Sequence, residues 1–303
     1  MNILILGASG FVASSLISKL ATTDHQVLGI SRNITDVLER FKESNNINFL
    51  KCDIAKEGLN KINFQPDIVI NLAAIQPSRE SLTWKDYFEG NVELVGSIIN
   101  FCKLNKVLRL IHISTVSIYS STNTKPYYED SVPNPVNLYS LSKFMGESLL
   151  RVTYEQNKSS PEVIVLRFPS IYGAGHLDGL VYTYYSLAKE NKDIEIYNEG
   201  KTMRNMLYID DAVDSIVLFI NATKEELKFD HFLIGSPNSL SSIDIASCIK
   251  EITGSNSNLV PVNKSSKVNE DVFIDITKFQ SKYNFKLRTI EDGLNEFVRT
   301  ITD

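Results

Sequence analysis

The chain alternates between short apolar runs and longer segments of helical periodicity. Runs of strand length lie at Ile3–Leu6, Gln26–Ile30, Ile47–Lys51, Ile68–Asn71, Leu108–Ser114 and Val163–Arg167. Between them apolar residues recur every three or four positions, most clearly over Asp86–Leu104 and Leu138–Tyr154. Continuously apolar strands are typical of a parallel sheet that is covered on both faces. The pattern therefore predicts an α/β fold with a Rossmann-type, doubly wound parallel sheet.

The first apolar run leads directly into a glycine turn. The turn Gly7-Ala8-Ser9-Gly10 is followed by a helical pattern that starts with Phe11 and Val12. Gly7 permits the tight turn, and Gly10 lets the backbone approach a pyrophosphate at the helix N-terminus, where free N–H groups and the helix dipole favour anions. A strand, a tight turn and a helix in this order indicate a dinucleotide-binding unit.

The alternation loosens after about residue 168, where Tyr, Asn and Gly become frequent. The patterns there predict strands at Ile194–Tyr197, His231–Ile234 and Val272–Ile274, and helices at Asp210–Asn221, Ile243–Ile252 and Ile290–Ile301. The polar stretch 255–269 is interpreted as a loop around a short strand. We expect a dinucleotide-binding domain over residues 1–168, rejoined by 206–225, and a smaller, mixed α/β C-terminal substrate lobe over 169–205 and 226–303.

Two separated segments predict a proton-transfer site. Thr115 ends an apolar run, and Tyr139 and Lys143 open a helical pattern. Residues four apart on a helix lie on the same face, so the Lys143 ammonium is expected to lower the pKa of the Tyr139 phenol. With the Thr115 hydroxyl holding a substrate oxygen, the three residues are candidate catalytic groups for a carbinol or carbonyl carbon.

These motifs resemble those of the extended short-chain dehydrogenase/reductases that act on nucleotide sugars. The resemblance rests on Gly7–Ala13, on Thr115 with Tyr139 and Lys143, and on Met203–Asp211, and it runs from residue 1 to about residue 300. It implies an NAD(P)-dependent enzyme with a nucleotide-sugar substrate. The motifs are specific for the family and not for the sugar.

The resemblance also implies further cofactor contacts. The Asp53 carboxylate would meet the adenine amino group, Ile54 would pack on the adenine ring, and the small loop Leu72-Ala73-Ala74 would let the backbone approach the cofactor. Asn91 would support the active-site strand, and Lys143 would bond the nicotinamide ribose. The complete candidate set is Gly7, Ser9, Gly10, Phe11, Val12, Ser31, Arg32, Asp53, Ile54, Leu72, Ala73, Ala74, Asn91, Tyr139 and Lys143.

The end of the second predicted strand favours NADP(H). Dinucleotide enzymes that prefer NAD usually place a carboxylate there, which bonds the adenine-ribose 2′-OH. This chain has Ser31 followed by Arg32. Ser31 does not repel a 2′-phosphate, and the Arg32 guanidinium can pair with it. NAD(H) stays open as the alternative.

On the substrate side, the resemblance places Arg204 where family members clamp the diphosphate, a role that suits a guanidinium fork. It makes Thr115, Val116, Ser117 and Ser170 further candidate substrate-binding residues, although family members often carry Asn at the position of Ser170.

The C-terminal part departs from the family pattern. An Arg-x-Gly-Asp type segment is missing before Asp271, and Lys264 or Lys267 could replace its charge. The aromatic residues Tyr182, Tyr184 and Tyr185 are interpreted as core.

Three functions stay open. In the family, sugar 4,6-dehydratases carry Asp-Glu directly after the catalytic Thr, and Val116-Ser117 cannot supply that acid and base, so dehydration is not expected. The Ser31-Arg32 pair favours a reductase that converts a nucleotide-linked 4-keto (deoxy)hexose with NADPH, because reductases must exchange their cofactor. The alternatives are a 4-epimerase that retains NAD and, in a different class, a non-catalytic NADP(H)-binding regulator.

Composition and net charge further limit the classes of protein and partner that are expected. A chain of 303 residues with 43% hydrophobic and 22% charged residues is typical of a globular protein with a large core. The net charge of −5 argues against nucleic-acid and membrane partners, and no apolar run is long enough to span a membrane. Three widely spaced cysteines suggest reduced thiols in a cytoplasm. No metal site is indicated, and a homodimer stays open.

Overall fold

The computed structural model describes residues 1–59, 62–77, 81–119, 125–156, 161–223, 228–264 and 270–302. The chain forms two compact units. Unit 1 comprises residues 1–118, 133–167 and 213–232, and unit 2 comprises 119–132, 168–212 and 233–303. Relative to the predicted boundaries, residues 119–132, 168 and 206–212 fall in unit 2, and residues 226–232 fall in unit 1.

Strands and helices alternate through most of the chain. The strands are β1 (Asn2–Leu6), β2 (Gln26–Ser31), β3 (Ile47–Lys51), β4 (Ile68–Asn71), β5 (Arg109–Thr115), β6 (Glu162–Phe168), β7 (Ser170–Tyr172), β8 (Ile194–Tyr197), β9 (Met203–Arg204), β10 (Met206–Tyr208), β11 (Phe229–Leu233), β12 (Leu240–Ser241) and β13 (Leu259–Val262). The α-helices are α1 (Phe11–Leu20), α2 (Thr35–Arg40), α3 (Ile54–Glu57), α4 (Trp84–Phe88), α5 (Leu94–Leu104), α6 (Leu138–Gln156), α7 (Gly179–Lys189), α8 (Ile209–Asn221), α9 (Ser242–Thr253), α10 (Thr277–Tyr283) and α11 (Ile290–Thr302).

Among the described residues, seven strands form the sheet of unit 1 in the order β11-β6-β5-β4-β1-β2-β3. The pairs β1–β2, β2–β3, β1–β4 and β4–β5 are parallel. All four residues of β4 are buried, as expected for a strand covered on both faces. The predicted doubly wound α/β fold is confirmed. The strand order reverses between β1 and β4, which in such sheets opens a crevice at the carboxyl ends of the strands.

One predicted helix has a different internal geometry. The segment predicted as a helix over Asp86–Leu104 begins at Trp84, where Thr83 and Asp86 form a reciprocal cap, with the Thr83 N–H donating to the Asp86 carboxylate at 2.7 Å. A π-helical turn, Glu89–Glu93, separates α4 from α5. The apolar periodicity located the helical segment but carried no signal for the change in its winding.

Unit 2 combines short strand pairs with helices. The pairs β7–β10 and β8–β13 are parallel and β9–β12 is antiparallel. The predicted strand Val272–Ile274 is wrong, since only a single bridge forms there, between Ile274 and Tyr127. Tyr184 and Tyr185 are buried. Within the described ranges, no helix is long and apolar enough to cross a membrane.

Candidate active site

The glycine turn after β1 is tightly closed. Gly7 has a φ of +83°, which favours glycine, and its N–H donates to the Ile30 carbonyl at 2.9 Å. A Cβ atom on Gly7 would lie 2.8 Å from the backbone of Ala73 in the loop after β4. Gly10 is the N-terminal cap of α1. The turn therefore brings the β4 loop beside the free N–H groups of a helix start.

The other predicted cofactor residues follow the neighbouring strand ends. The Ser31 hydroxyl at the end of β2 is 2.6 Å from the Ser9 hydroxyl, and Arg32 is exposed. Asp53 precedes α3, and its carboxylate is 3.7 Å from the Lys56 ammonium. Ile54 lies in the hydrophobic core of unit 1. Phe11, Val12, Leu72, Ala73 and Ala74 are all partly buried.

Asn91 connects the β4 loop to α6. It lies in the π-helical turn, and its Oδ1 accepts the Ile75 N–H at 2.7 Å. Its Nδ2 donates to the Ile75 carbonyl at 3.1 Å and to the Ser142 hydroxyl at 2.9 Å, and Ser142 in turn donates to the Tyr139 carbonyl at 2.8 Å. These bonds hold the β4 loop and the start of α6, and the expected support of the active-site strand stays a prediction.

Thr115 ends β5 with its side chain buried. Its hydroxyl donates to the Ser117 hydroxyl at 3.1 Å and accepts the Ser117 N–H at 3.1 Å. Val116 is buried and Ser117 is exposed. The position after Thr115 is therefore apolar, and no carboxylate stands at either of the next two positions.

Tyr139 occupies the first turn of α6 and is partly buried. Burial raises its pKa, hydrogen bonds with the Gln76 and Thr115 side chains act in the opposite direction, and Tyr87 adds to the rise. The ring centroids of Tyr87 and Tyr139 are 6.4 Å apart. The structure thus brings Thr115 and Tyr139 together, as predicted.

Lys143 lies one turn further along α6 and is buried. Its ammonium donates to the Ile113 carbonyl of β5 at 2.7 Å. Burial lowers the pKa of Lys143 to about 8, against a smaller opposing effect of Glu147. The expectation that Lys143 lowers the pKa of Tyr139 needs correction, because the ammonium is engaged with the β5 backbone and the pKa of Tyr139 is raised.

Arg204 and Ser170 line a cavity in unit 2. The lining residues with polar side-chain groups are Ser170, Tyr172, His176, Asp178, Tyr182 and Arg204. The Arg204 Nε donates to the Ser242 hydroxyl at 3.3 Å, and burial lowers the pKa of the guanidinium, opposed by Tyr184 and Asp271.

Of the two candidate replacement cations near Asp271, Lys264 pairs with Glu195 at 3.3 Å. Lys267 lies outside the described residues.

Sequence reasoning missed several residues beside the site. Gln76 contacts Tyr139, Ser142 supports it, and His112 lies on β5 next to the Ile113 carbonyl that binds Lys143. Gln76 follows the predicted cofactor loop closely and Ser142 lies between Tyr139 and Lys143, but neither they nor His112 is a defining position of a motif. Over the described ranges, no group of three His, Cys, Asp or Glu residues could hold a metal ion.

A family model and individual relatives match this chain, and they agree on its family. The family described as "NAD dependent epimerase/dehydratase family" matches residues 3–235. UDP-glucuronate 4-epimerase from Thermodesulfobacterium geofontis is 27% identical over 312 residues, which covers 97% of this chain and 94% of that protein. dTDP-D-glucose 4,6-dehydratase from Dictyostelium discoideum is 30% identical over 277 residues, which covers 83% of this chain and 62% of that protein.

Solved structures are similar over the whole chain. UDP-glucuronic acid 4-epimerase from Bacillus cereus, in complex with UDP-glucuronic acid and NAD, has a TM-score of 0.87 and 26% identity, covering 100% of this chain and 99% of that one. A tyrosine-to-phenylalanine mutant of the same enzyme, in complex with UDP-4-deoxy-4-fluoro-glucuronic acid and NAD, has a TM-score of 0.89 and the same identity and coverage.

Proposed function

This chain belongs to the NAD dependent epimerase/dehydratase family, and from that premise we propose that it is a 4-epimerase of a nucleotide sugar that retains NAD(H). The observation that carries the proposal is the match, over the full length of both chains, to a UDP-glucuronic acid 4-epimerase bound to NAD and its substrate. The family resemblance and the enzyme class predicted from the sequence are confirmed, and the relatives favour the epimerase alternative over the reductase.

The residues of unit 1 fit a nicotinamide dinucleotide. A side chain at Gly7 would fill the space against Ala73, and α1 begins directly after Gly10. We assign Gly7, Ser9, Gly10, Phe11 and Val12 to the pyrophosphate. The proposed contacts elsewhere on the cofactor are Ser31 and Arg32 at the adenine ribose, Asp53 and Ile54 at the adenine, and Leu72, Ala73 and Ala74 with Lys143 at the nicotinamide half, with Asn91 holding the β4 loop.

The same unit supplies the groups for proton transfer. When bound in unit 1, NAD would supply reversible hydride transfer at the sugar C4, with the hydride returned to the opposite face of the sugar. As the phenolate, Tyr139 removes the proton of the C4 oxygen, and as the phenol it gives that proton back, while Thr115 holds the oxygen by a hydrogen bond. The Lys143 ammonium binds the nicotinamide ribose. Val116 and Ser117 carry no carboxylate, which supports epimerisation rather than loss of water.

We place the nucleotide diphosphate at the cavity of unit 2. Arg204 and Ser170 line it, and a guanidinium fork suits phosphate oxygens. Because the similar solved epimerase binds a UDP-sugar, a UDP-hexose is the proposed substrate class.

Replacing Arg204 tests the diphosphate site. Arg204→Ala is expected to raise KM for the sugar nucleotide roughly 10- to 100-fold, because one charge-assisted hydrogen bond contributes ~1.5–3 kcal/mol, and to leave the NAD content of the protein unchanged. Arg204→Lys should restore only part of the affinity, since it lacks the bidentate fork. Unchanged substrate kinetics of Arg204→Ala, measured at steady state, would contradict this placement.

The test of the function is a substrate panel without added cofactor. The purified protein is incubated with UDP-glucose, UDP-glucuronic acid and UDP-N-acetylglucosamine, and products are identified by NMR of the sugar protons. We expect inversion at C4, with NAD(H) released when the protein is denatured. Turnover only of a 4-keto sugar with added NADPH would replace the epimerase by the reductase, and cofactor binding without any turnover would indicate the regulator.

The reductase is the second candidate because of one observation. The end of β2 carries no carboxylate, and the Ser31 hydroxyl is hydrogen-bonded to Ser9 instead. If Arg32 reads a 2′-phosphate, the protein should bind NADPH more tightly than NADH, and Arg32→Ala should remove only that preference. Tighter NADH binding by the unmutated protein would exclude this reading.

We also propose that the protein is a homodimer. Leu138, Leu141, Met145 and Val152 are exposed on α6, and their steps of three, four and seven residues keep them on one helix-pairing seam. Such an apolar stripe is complementary to a second copy of itself.

A further inference from the structure

A buried histidine beside the site has no part in the function proposed above. His112 on β5 is 1% exposed and is the register partner of Asn71 on β4. Its Nδ1 lies 3.0 Å from the Asn71 Nδ2. Within the described part of the chain, its Nε2 is buried and has no hydrogen-bond partner.

The bonds of Asn71 determine which nitrogen of His112 carries the proton. The Asn71 Oδ1 accepts the Ala73 N–H at 3.2 Å, so the Asn71 Nδ2 is the donor toward the ring. The His112 Nδ1 is therefore an acceptor, and the proton lies on Nε2. Burial and the Lys143 charge lower the pKa of His112 well below 6.5, which keeps the ring neutral.

The backbone that Asn71 holds is the one that closes the glycine turn. Ala73 lies so near Gly7 that a Cβ atom on Gly7 would come within 2.8 Å of the N and Cα atoms of Ala73. A small displacement of Ala73 therefore changes the space beside Gly7. Hydrogen bonds lead from His112 through Asn71 to Ala73, and direct packing leads from Ala73 to Gly7.

We propose that His112 is a positioning residue for the dinucleotide: its Nδ1 keeps the Asn71 amide oriented so that Ala73 stays in place beside Gly7. The proposal rests on the NAD site proposed above. An unpartnered, buried Nε2–H lowers stability, and an apolar side chain of similar size would avoid that loss. The histidine is therefore expected to trade stability for cofactor affinity.

Three substitutions of His112 distinguish the role of its Nδ1 from that of its Nε2. His112→Asn places an acceptor near the position of Nδ1, His112→Gln places its amide near Nε2, and His112→Leu keeps the bulk without either. NAD affinity is measured by calorimetry on nucleotide-free protein, and stability by thermal unfolding of the same samples.

We expect His112→Leu to weaken NAD binding roughly tenfold, which equals about 1.4 kcal/mol, with an unchanged or higher melting temperature. His112→Asn should bind nearly as the unmutated protein does, and His112→Gln should resemble His112→Leu. Wild-type affinity in His112→Leu, rescue by Gln and not by Asn, or parallel losses of affinity and stability in all three variants would each overturn the proposal. Absence of NAD(H) binding by the unmutated protein would instead overturn the proposed function, and this inference with it.

Discussion

Tyr139 lies in surroundings that hold its proton. Burial raises the pKa of the phenol, and the hydrogen bonds with Gln76 and Thr115 are the interactions that lower it. Lys143 is bound to the Ile113 carbonyl at 2.7 Å. Gln76 and Thr115 are therefore the groups that favour loss of the Tyr139 proton at the proposed site.

Removing the Tyr139 hydroxyl should abolish most of the turnover. Tyr139→Phe keeps the ring against Tyr87, so folding and NAD content should survive, while turnover should fall ~10²–10⁴-fold, the usual loss when general acid–base help is removed. The measurement is steady-state epimerisation of an accepted substrate. Near-normal activity would mean that another group transfers the proton.

The buried Lys143 predicts a pH dependence of stability. Its pKa in the folded protein is about 8, below its ordinary 10.5. Between these pH values the unfolded chain binds the proton and the folded chain does not, so this group makes the folded state more stable as pH rises through the window. The total change is roughly 3 kcal/mol.

The comparison is with Lys143→Met, which lacks the titrating group. Denaturant unfolding of cofactor-free protein should show the unmutated protein gaining stability relative to Lys143→Met between pH 8 and pH 10. Parallel pH profiles of the two proteins would contradict a lowered pKa of Lys143.

At the scale of elements, the π-helical turn Glu89–Glu93 is the feature that positions the site. It directs the Asn91 amide toward both polar groups of the Ile75 backbone and toward Ser142. Gly90 packs so closely on Ile75 that a Cβ there would lie 2.2 Å from the Ile75 Cγ1. π-turns are frequent at functional sites, where they alter which side chains face inward.

Gly90→Ala is therefore expected to destabilise the protein by about 1–3 kcal/mol, as overpacking does, and to weaken activity by displacing Ile75. Gly96→Ala on α5 is the matched control, because its Cβ would meet only Leu149 at 3.7 Å. It should be neutral or stabilising, by up to about 1 kcal/mol. Urea unfolding of both variants measures the change in the free energy of unfolding. Equal changes in the two variants would show that the close contact of Gly90 with Ile75 is not what excludes a side chain at Gly90.

At the scale of the whole molecule, the two units carry different chemistry. Unit 1 contains Thr115, Tyr139 and Lys143, and unit 2 contains the cavity with Ser170 and Arg204. Unit 1 also carries the exposed apolar stripe on α6. The proposed assembly thus involves the unit to which we assign the cofactor.

The proposed homodimer can be tested by introducing one charged side chain into its interface. Met145→Glu places a carboxylate in the middle of the α6 stripe, and in a symmetric pair two such charges would approach each other. We expect the molar mass from light scattering to fall from dimer to monomer. Leu177→Glu, an exposed leucine of unit 2, is the control and should leave the mass unchanged. A monomeric unmutated protein would refute the stripe as a dimer interface.

The sequence by itself determined the features that depend on local pattern. The apolar runs located the first six strands to within one residue, since burial on both faces of a parallel sheet imposes continuous hydrophobicity. The glycine turn and the shared helical face of Tyr139 and Lys143 could also be predicted, because both depend only on residues that are close together in the chain.

The tertiary structure decided what depends on partners distant in the chain. Gln76 and His112 reach the site through packing between elements, and the bond from Asn91 to Ser142 also joins two elements; periodicity carries no signal for such contacts. The raised pKa of Tyr139 has the same origin, because burial and distant hydrogen bonds set it. Gly90 in the π-helical turn likewise packs on Ile75, a contact that no local pattern indicates. Local pattern placed the chemical groups on their elements, and only three-dimensional packing determined what each group contacts.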